Sequence, residues 1–576
     1  MSIKNTLLSL VLCLSSVAQA DNLDNFIKEE MQKRQIPGLS LAIVDGGKVV
    51  KVQGYGMAEK GGNVPVTAKT LFQAGSVSKP VAALGTMVLV EQGRLDLDED
   101  VNQKLQSWKV PENSFTETKK VTLRRIMSHS AGLSVHSFGG YPRGADVPSL
   151  VQILNGAKPA NSGPVKVLFE PGTKVQYSGG GTTVMQQLVI DVTGKPFDEF
   201  MQASVLAPLG MHSSSFTQPL APSMLSASAS AHSNTRQKIA GGHHLYPEMA
   251  AAGLWTTPSD LAKFASAIQD AYAGKDHAII SKKWAKEMLS PQLKEAGLGF
   301  FIKNDGKQQE FAHGGRDEGF DTKFSATFST GQAAIVMINT NDNSGALNRI
   351  MQAIAEEYKW PGHEAQSSEV STANIKSAPL DAYTGYFDDG NGYLLELVTH
   401  QGNLAVISDG FVDSILRPSG EHSFSAIKED LTVQFSLNAN GEVIEGKTSF
   451  NKEGKVIKIS PLLTSIPAQE DSNPTRTNQV AEALSELARV GAKDSKTAWI
   501  AAATKKVFTR PMRELNGFKK LQFIKETPLE NFRLSRHKSK AKTLLAYKLN
   551  AEMPAPFIFV FLNDAGQLID FDLVKN

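Results

Sequence analysis

Ser76 and Lys79 stand three residues apart at the head of an apolar run, Gly75-Ser76-Val77-Ser78-Lys79-Pro80-Val81-Ala82-Ala83-Leu84. Val81, Leu84, Met87, Val88 and Leu89 continue at helical spacing up to a stop at Gly93, which predicts a helix. Pro80 suits its first turn, where no helical N–H bond is lost. Residues three apart on a helix share a face. A serine hydroxyl is a poor nucleophile until a base removes its proton, and an amine desolvated beside it can be that base.

The spacing alone is weak, because the chain holds five such pairs: Ser76/Lys79, Ser425/Lys428, Ser449/Lys452, Ser535/Lys538 and Ser539/Lys542. Context separates them. Ser425 and Ser449 run into the polar turns Lys428-Glu429-Asp430 and Lys452-Glu453-Gly454, and Ser535 and Ser539 lie in a basic run that reads as a solvated face. Only Ser76 opens a long helical pattern.

At 576 residues the chain is too long for one hydrophobic core, and about three domains are expected. A formal charge of +2 argues against nucleic acid as a partner of the whole chain. The N-terminus reads as a signal peptide over residues 1–20: Lys4, an apolar stretch Leu7 to Leu14, and the cleavage pattern Ala18-Gln19-Ala20. That stretch is too short to span a bilayer, and no other segment is a transmembrane candidate. Cys13, the single cysteine, lies inside it. Cleavage would leave a chain with no disulfide, cysteine nucleophile or thiolate metal site, which fits a periplasmic or secreted protein.

Along the chain, Leu23 to Arg34 reads as a helix, and Leu39 to Val44 and Lys48 to Val52 as strands around the turn Asp45-Gly46-Gly47. Leu123 to Leu133 reads as a short helix stopped by Gly132. Ser134 to Pro171 is long enough to be a functional loop or to hold a helical insert. Tyr177-Ser178-Gly179 precedes a helix ending at Gly194. A phenol there can serve as base or proton relay, or be an ordinary half-buried tyrosine. Thr257 is placed to cap a helix with Pro258 in its first turn. His313-Gly314-Gly315-Arg316 follows a strand, and small residues beside a strand let a substrate backbone approach. No His/Asp/Glu cluster has zinc spacing, His243-His244 included, and no phosphate loop is present; no cofactor is expected.

Ser76-Val77-Ser78-Lys79, Tyr177-Ser178-Gly179 and His313-Gly314-Gly315, in that order, resemble the serine β-lactamase-related superfamily, which uses the S-x-x-K arrangement. That group holds class C β-lactamases, penicillin-binding proteins, class VIII esterases and D-aminopeptidase-like serine peptidases. Leu123 to Leu133, Glu170-Pro171-Gly172, Pro208-Leu209-Gly210-Met211 and Ala251 to Phe264 are similar too. The resemblance implies an α+β fold for 21–360: an antiparallel sheet flanked by helices, an all-helical subdomain, and a site between them. It implies Ser76 as acylated nucleophile, Lys79 as its amine partner and Tyr177 as base. It puts His313 and Gly315 on an edge strand beside substrate, and the N–H groups of Ser76 and Arg316 at the oxyanion.

Two departures bear on specificity. Gly179 stands where the second motif often has a substrate-positioning Asn, and His313 where most β-lactamases have a lysine. A lysine suits a carboxylate such as that of penicillin, whereas a histidine is mostly neutral at pH 7. The expectation is an exported serine hydrolase of small esters or D-amino-acid peptides and amides, with weak or no β-lactam hydrolysis and Arg316 as a candidate substitute charge. The alternative is a catalytically weak penicillin-binding or sensor protein on the same fold.

Residues 361–379 read as a linker and 380–463 as a small antiparallel β-barrel, with strands at Tyr393 to Val398, Leu404 to Ser408, Thr432 to Leu437 and Val456 to Ser460. This part resembles, by type and position, the lipocalin-like C-terminal domain of some D-aminopeptidase-like enzymes. A second linker, 464–477, leads to an α+β module, 478–576, with a second helix near Thr497 to Phe508. Residues 476–576 carry 18 Lys/Arg against 10 Asp/Glu. That excess suits either an anionic cell-envelope polymer as partner or an ordinary basic surface.

Overall fold

The computed structural model describes residues 22–363 (apart from 235, 305, 307, 308 and 343), 379–388, 394–400, 402–408, 411–426, 431–441, 443–450, 456–463, 473–489, 498–500, 521–533, 540–549 and 557–574. The expected signal peptide, nearly all of the linker at 361–379 and nearly all of the helix at 497–508 lie outside the described residues. The chain divides into two compact units, residues 1–365 and 366–576.

In the first unit, helix α1 (22–33) leads into the hairpin β1 (Gly38–Asp45) and β2 (Lys48–Gly56). Then come α2 (Ser78–Glu91), α3 (Gly179–Thr193), α4 (Met249–Ala252) and α5 (Pro258–Ala273). The strands β3 (Phe301–Asn304), β4 (Gln309–Asp317), β5 (Phe320–Thr327) and β6 (Ala333–Ile338) follow, and α6 (Ala346–Glu357) closes the unit. The six strands form one antiparallel sheet in the order β2-β1-β6-β5-β4-β3.

Both faces of the middle strands are covered, which is why β1 and β6 are nearly continuously apolar. Side chains alternate across a strand. Leu39, Leu41 and Ile43 of β1 and Val336 and Ile338 of β6 meet Leu23, Ile27, Leu347, Ile350 and Ile354 of the terminal helices. Ala42, Val44, Ile335 and Met337 face the larger core with Leu84 and Met87 of α2 and Leu261 and Phe264 of α5. Thr257 caps α5 through its side chain, with Pro258 in the first turn. The long loop after Gly132 holds a helical insert, Leu150–Asn155, begun by a Ser149/Gln152 capping box.

The second unit contains a closed barrel of eight antiparallel strands: β7 (Gly385–Asp388), β8 (Leu394–His400), β9 (Asn403–Ser408), β10 (Phe411–Gly420), β11 (Ser423–Ala426), β12 (Leu431–Leu437), β13 (Val443–Phe450) and β14 (Val456–Leu463). Pairing of β7 with β14 closes it. Tyr383, Phe387, Leu404, Leu416, Phe424, Val433 and Phe435 fill its interior.

Farther on, α7 (Pro474–Arg489) packs Val480, Leu484 and Leu487 against β15 (Gln522–Arg533), β16 (Lys540–Lys548), β17 (Phe557–Leu562) and β18 (Leu568–Val574) through Leu545, Tyr547, Ile558 and Val560. The expected linker to 477 is corrected here, since α7 begins at Pro474. The Asn473 side chain accepts the Arg476 N–H at 3.0 Å, a capping bond with proline just inside the helix.

Candidate active site

Ser76 lies in a single 3-10 turn, Gly75–Val77, that runs directly into α2. Gly75 has φ 54, and Gly315 comes so close that a Cβ on it would collide with the Ala74 carbonyl oxygen. Glycine at both positions lets the turn and β4 touch backbone to backbone. The Ser78 hydroxyl fastens the turn, donating to the Gly75 carbonyl at 2.6 Å and accepting the Leu254 N–H at 3.0 Å.

Lys79 Nζ donates to Ser76 Oγ at 2.8 Å and to the Ala251 carbonyl oxygen at 2.8 Å. The amine is buried and lies 4.9 Å from the Tyr177 ring centroid. Tyr177 immediately precedes Ser178, the N-cap of α3, whose hydroxyl accepts the Gly181 N–H at 2.8 Å. Ser76, Lys79 and Tyr177, a hundred residues apart in part, therefore converge at the starts of α2 and α3. Of the other serine–lysine pairs, Ser425 and Ser449 sit on the strands β11 and β13 and not at a helix start, and Ser535 and Ser539 lie outside the described residues.

His313 lies on β4, its ring centroid 6.1 Å from that of Tyr177. As a whole β4 is not the edge strand expected, because β3 pairs beside it. That pairing ends at Phe301 with Ala312, so His313–Asp317 overhang β3. The His313 Nδ1 is 2.6 Å from the Gly314 carbonyl oxygen. A carbonyl only accepts, so Nδ1 carries the proton and Nε2 is left as an acceptor. Burial first, then the charge of Lys79, pushes the His313 pKa down to about 3.

Arg316 does not offer the substitute charge. Its guanidinium Nε meets Asp321 at 2.7 Å, and Nη2 meets the Asp342 carbonyl at 2.7 Å. Its main chain does lie against the Ser76 turn, where a Cβ on Gly75 would collide with the Arg316 nitrogen. At the second departure, Gly179 donates its N–H to the His136 carbonyl at 2.9 Å. A Cβ on Gly179 would stand 3.0 Å from that oxygen and 3.1 Å from the Phe138 ring. The loop after Gly132 thus fills the space an asparagine side chain would need.

Three buried groups around the site escaped sequence reasoning. Asp317 ends β4, and burial raises its carboxyl well above the usual range while Lys79 pulls it down. Glu248 begins α4; burial pushes it up to about 7, with the Tyr141 hydroxyl at 3.5 Å. His129 packs on Tyr177, ring centroids 4.2 Å apart. The one available signal for His129 was a polar Ser128-His129-Ser130 set between apolar neighbours. Among the described residues no group of three or more His, Cys, Asp or Glu side chains is placed to hold a metal ion. No helix among them is long and apolar enough to cross a membrane.

Residues 23–358 match the model of a family described as Beta-lactamase. Protein flp of Staphylococcus aureus (strain MRSA252) is 26% identical over 201 residues, 34% of this chain and 38% of that protein. A beta-lactamase of Pseudomonas fluorescens is 29% identical over 189 residues, 33% of this chain and 48% of that protein. The chain thus spans less than half the length of these relatives in the matched region. An octameric penicillin-binding protein homologue from Pyrococcus abyssi has the same general fold, with a TM-score of 0.53 and 21% identity over 77% of this chain and 100% of that one.

Proposed function

The chain belongs to the beta-lactamase family over residues 23–358, and on that premise we propose that it is a serine hydrolase acting through an acyl-enzyme on Ser76. The observation that carries the reading is the 2.8 Å contact between Lys79 Nζ and Ser76 Oγ, with Tyr177 beside the amine. In the first step Ser76 Oγ attacks the substrate carbonyl and its proton passes to the Tyr177–Lys79 pair. The N–H groups of Ser76 and Arg316 stabilise the oxyanion. Collapse breaks the carbonyl's bond to the alcohol or amine, which leaves with that proton. Water then hydrolyses the ester on Ser76 and restores the hydroxyl.

The preferred substrates are small esters or D-amino-acid peptides and amides. A β-lactam carboxylate needs a cation at the third motif, and His313 is neutral at pH 7 while Arg316 is engaged by Asp321. Lys323 is the register partner of Gly314, not of His313, so it projects from the opposite face of the sheet. Export to the periplasm or cell exterior is part of the same reading, supported by the N-terminal sequence pattern.

A fluorophosphonate probe tests the nucleophile, and a panel of short p-nitrophenyl esters, D-amino-acid amides and nitrocefin tests the substrate class. Labelling of the native chain but not of Ser76→Ala, with ester or amide turnover above nitrocefin turnover, is the expected result. Absence of labelling in both, or nitrocefin turnover at the level of an efficient β-lactamase, would overturn it.

A further inference from the structure

His129 grips three consecutive residues, Gln176, Tyr177 and Ser178, the last two from the second motif. Its carbonyl oxygen accepts the Gln176 N–H at 2.8 Å. Its Nδ1 accepts the Ser178 N–H at 3.2 Å. Between those two bonds its ring lies against the Tyr177 ring, 4.2 Å between centroids at 37°. To reach this position His129 adopts φ 55, a backbone region that residues with a Cβ seldom occupy unless their surroundings impose it. The bend follows directly from the end of helix Leu123–Met127 at Ser128, so the grip is anchored in a helix and not in a free loop.

The donor at Ser178 fixes the tautomer. A backbone N–H can only donate, so Nδ1 is bare and the ring proton sits on Nε2. The Tyr177 ring also stacks on Phe301, 6.3 Å between centroids at 17°; Phe301 is itself 6.2 Å from the His129 ring, and His136 lies 5.0 Å from Tyr177. The phenol is therefore clamped by its neighbours' backbone bonds and by rings, with one residue contributing to both.

We propose that His129 is a positioning residue for Tyr177: it fixes the tyrosine ring beside the Lys79 amine without itself touching substrate. The proposal rests on the reading of Ser76 as nucleophile and Tyr177 as its base. Removing such a clamp shifts a proton-transfer partner by a fraction of its hydrogen-bond reach. Misplacement of that order costs up to about 10²-fold in rate, chiefly in kcat, because binding groups stay in place.

Two variants divide the contacts. His129→Phe keeps a ring against Tyr177 and loses the acceptor. His129→Asn keeps a short acceptor, tolerates positive φ and loses the ring. With p-nitrophenyl acetate the expected result is a kcat loss of about 10- to 100-fold in His129→Phe with KM within about twofold, and partial recovery in His129→Asn. Both should retain cooperative thermal unfolding. The pH profile of kcat should change shape in the Phe variant. Native kcat together with an unchanged pH profile in His129→Phe would overturn the proposal. Should fluorophosphonate fail to label even the native chain, the nucleophile reading fails, while imidazole nitrogen NMR of His129 still decides the clamp. Should neither variant fold, imidazole nitrogen NMR of the native chain decides it: a bare Nδ1 at pH 7 supports the clamp, and a protonated Nδ1 overturns it.

Discussion

Lys79 Nζ is held from two sides, 2.8 Å from Ser76 Oγ in the turn that leads into its own helix and 2.8 Å from the Ala251 carbonyl oxygen on α4. The second contact comes from far along the sequence and leaves the amine little freedom. Replacing it with an apolar chain of similar length removes the amine from the Tyr177–Lys79 pair and leaves the Ala251 carbonyl without its partner. Lys79→Met should lower ester hydrolysis by about 10²–10⁴-fold, the range for loss of a positioned acid–base group. Lys79→Arg should not rescue it, because a planar guanidinium is too broad for the site. Steady-state hydrolysis with fluorophosphonate labelling rates checks both, and near-native labelling of Lys79→Met would contradict the role.

Tyr177 separates chemistry from packing. Its ring contacts His129, His136 and Phe301, and phenylalanine can keep those contacts. Tyr177→Phe should therefore cost about 10²-fold or more in kcat while changing stability by less than about 1 kcal/mol. Thermal unfolding measured beside kinetics distinguishes this from a merely structural tyrosine, for which the two losses would travel together.

The third motif contains two adjacent glycines with opposite expectations. A Cβ on Gly315 would run into the Ala74 carbonyl, whereas the nearest atom to a Cβ on Gly314 is the tip of Lys323 at 3.7 Å. Gly315→Ala must push β4 and the Ser76 turn apart, at about 1–3 kcal/mol or more, with a parallel fall in labelling rate. Gly314→Ala should stay within about 0.5 kcal/mol of native and keep its labelling. Equal tolerance of the two substitutions would mean that the strand and turn do not meet as described.

What could be read from the sequence followed from how local each signal was. Ser76 and Lys79 are one helical turn apart, so their spacing and the apolar run behind them singled out the pair, and the resemblance supplied its role. Tyr177 and His313 carried no such local proof, and the resemblance supplied them. His129, Glu248 and Asp317 were missed because their partners lie on other elements, and composition does not show which polar residue is buried. Arg316 was open until Asp321, five residues on, was seen to engage it. In the barrel, β8, β9, β12 and β14 showed alternating apolar residues. β7 and β11 are four residues each, too short for a period to register, and β10 and β13 contain Pro418 and Gly446, which read as breaks.

Two of the titrating side chains near the site, Glu248 and His313, pull stability in opposite directions with pH. Glu248 is raised from 4.5 to about 7 by burial. The folded chain keeps that proton while the unfolded chain releases it, so the stability it contributes is full below about pH 4.5 and lost as pH rises to about 7. His313 is lowered from 6.5 to about 3. Its stability is full above about pH 6.5 and lost as pH falls toward about 3, because the unfolded chain takes up the proton first. Between about pH 4.5 and 6.5 the two slopes oppose each other. Glu248→Gln imitates the neutral acid, and it should raise the thermal midpoint at pH 8 more than at pH 5. His313→Gln should instead flatten the loss of stability on acidification from pH 6.5 to 4. Thermal melts across this range test both, and a Glu248→Gln midpoint shift independent of pH would mean that the carboxyl is already ionised, and so hydrated or paired, in the folded protein.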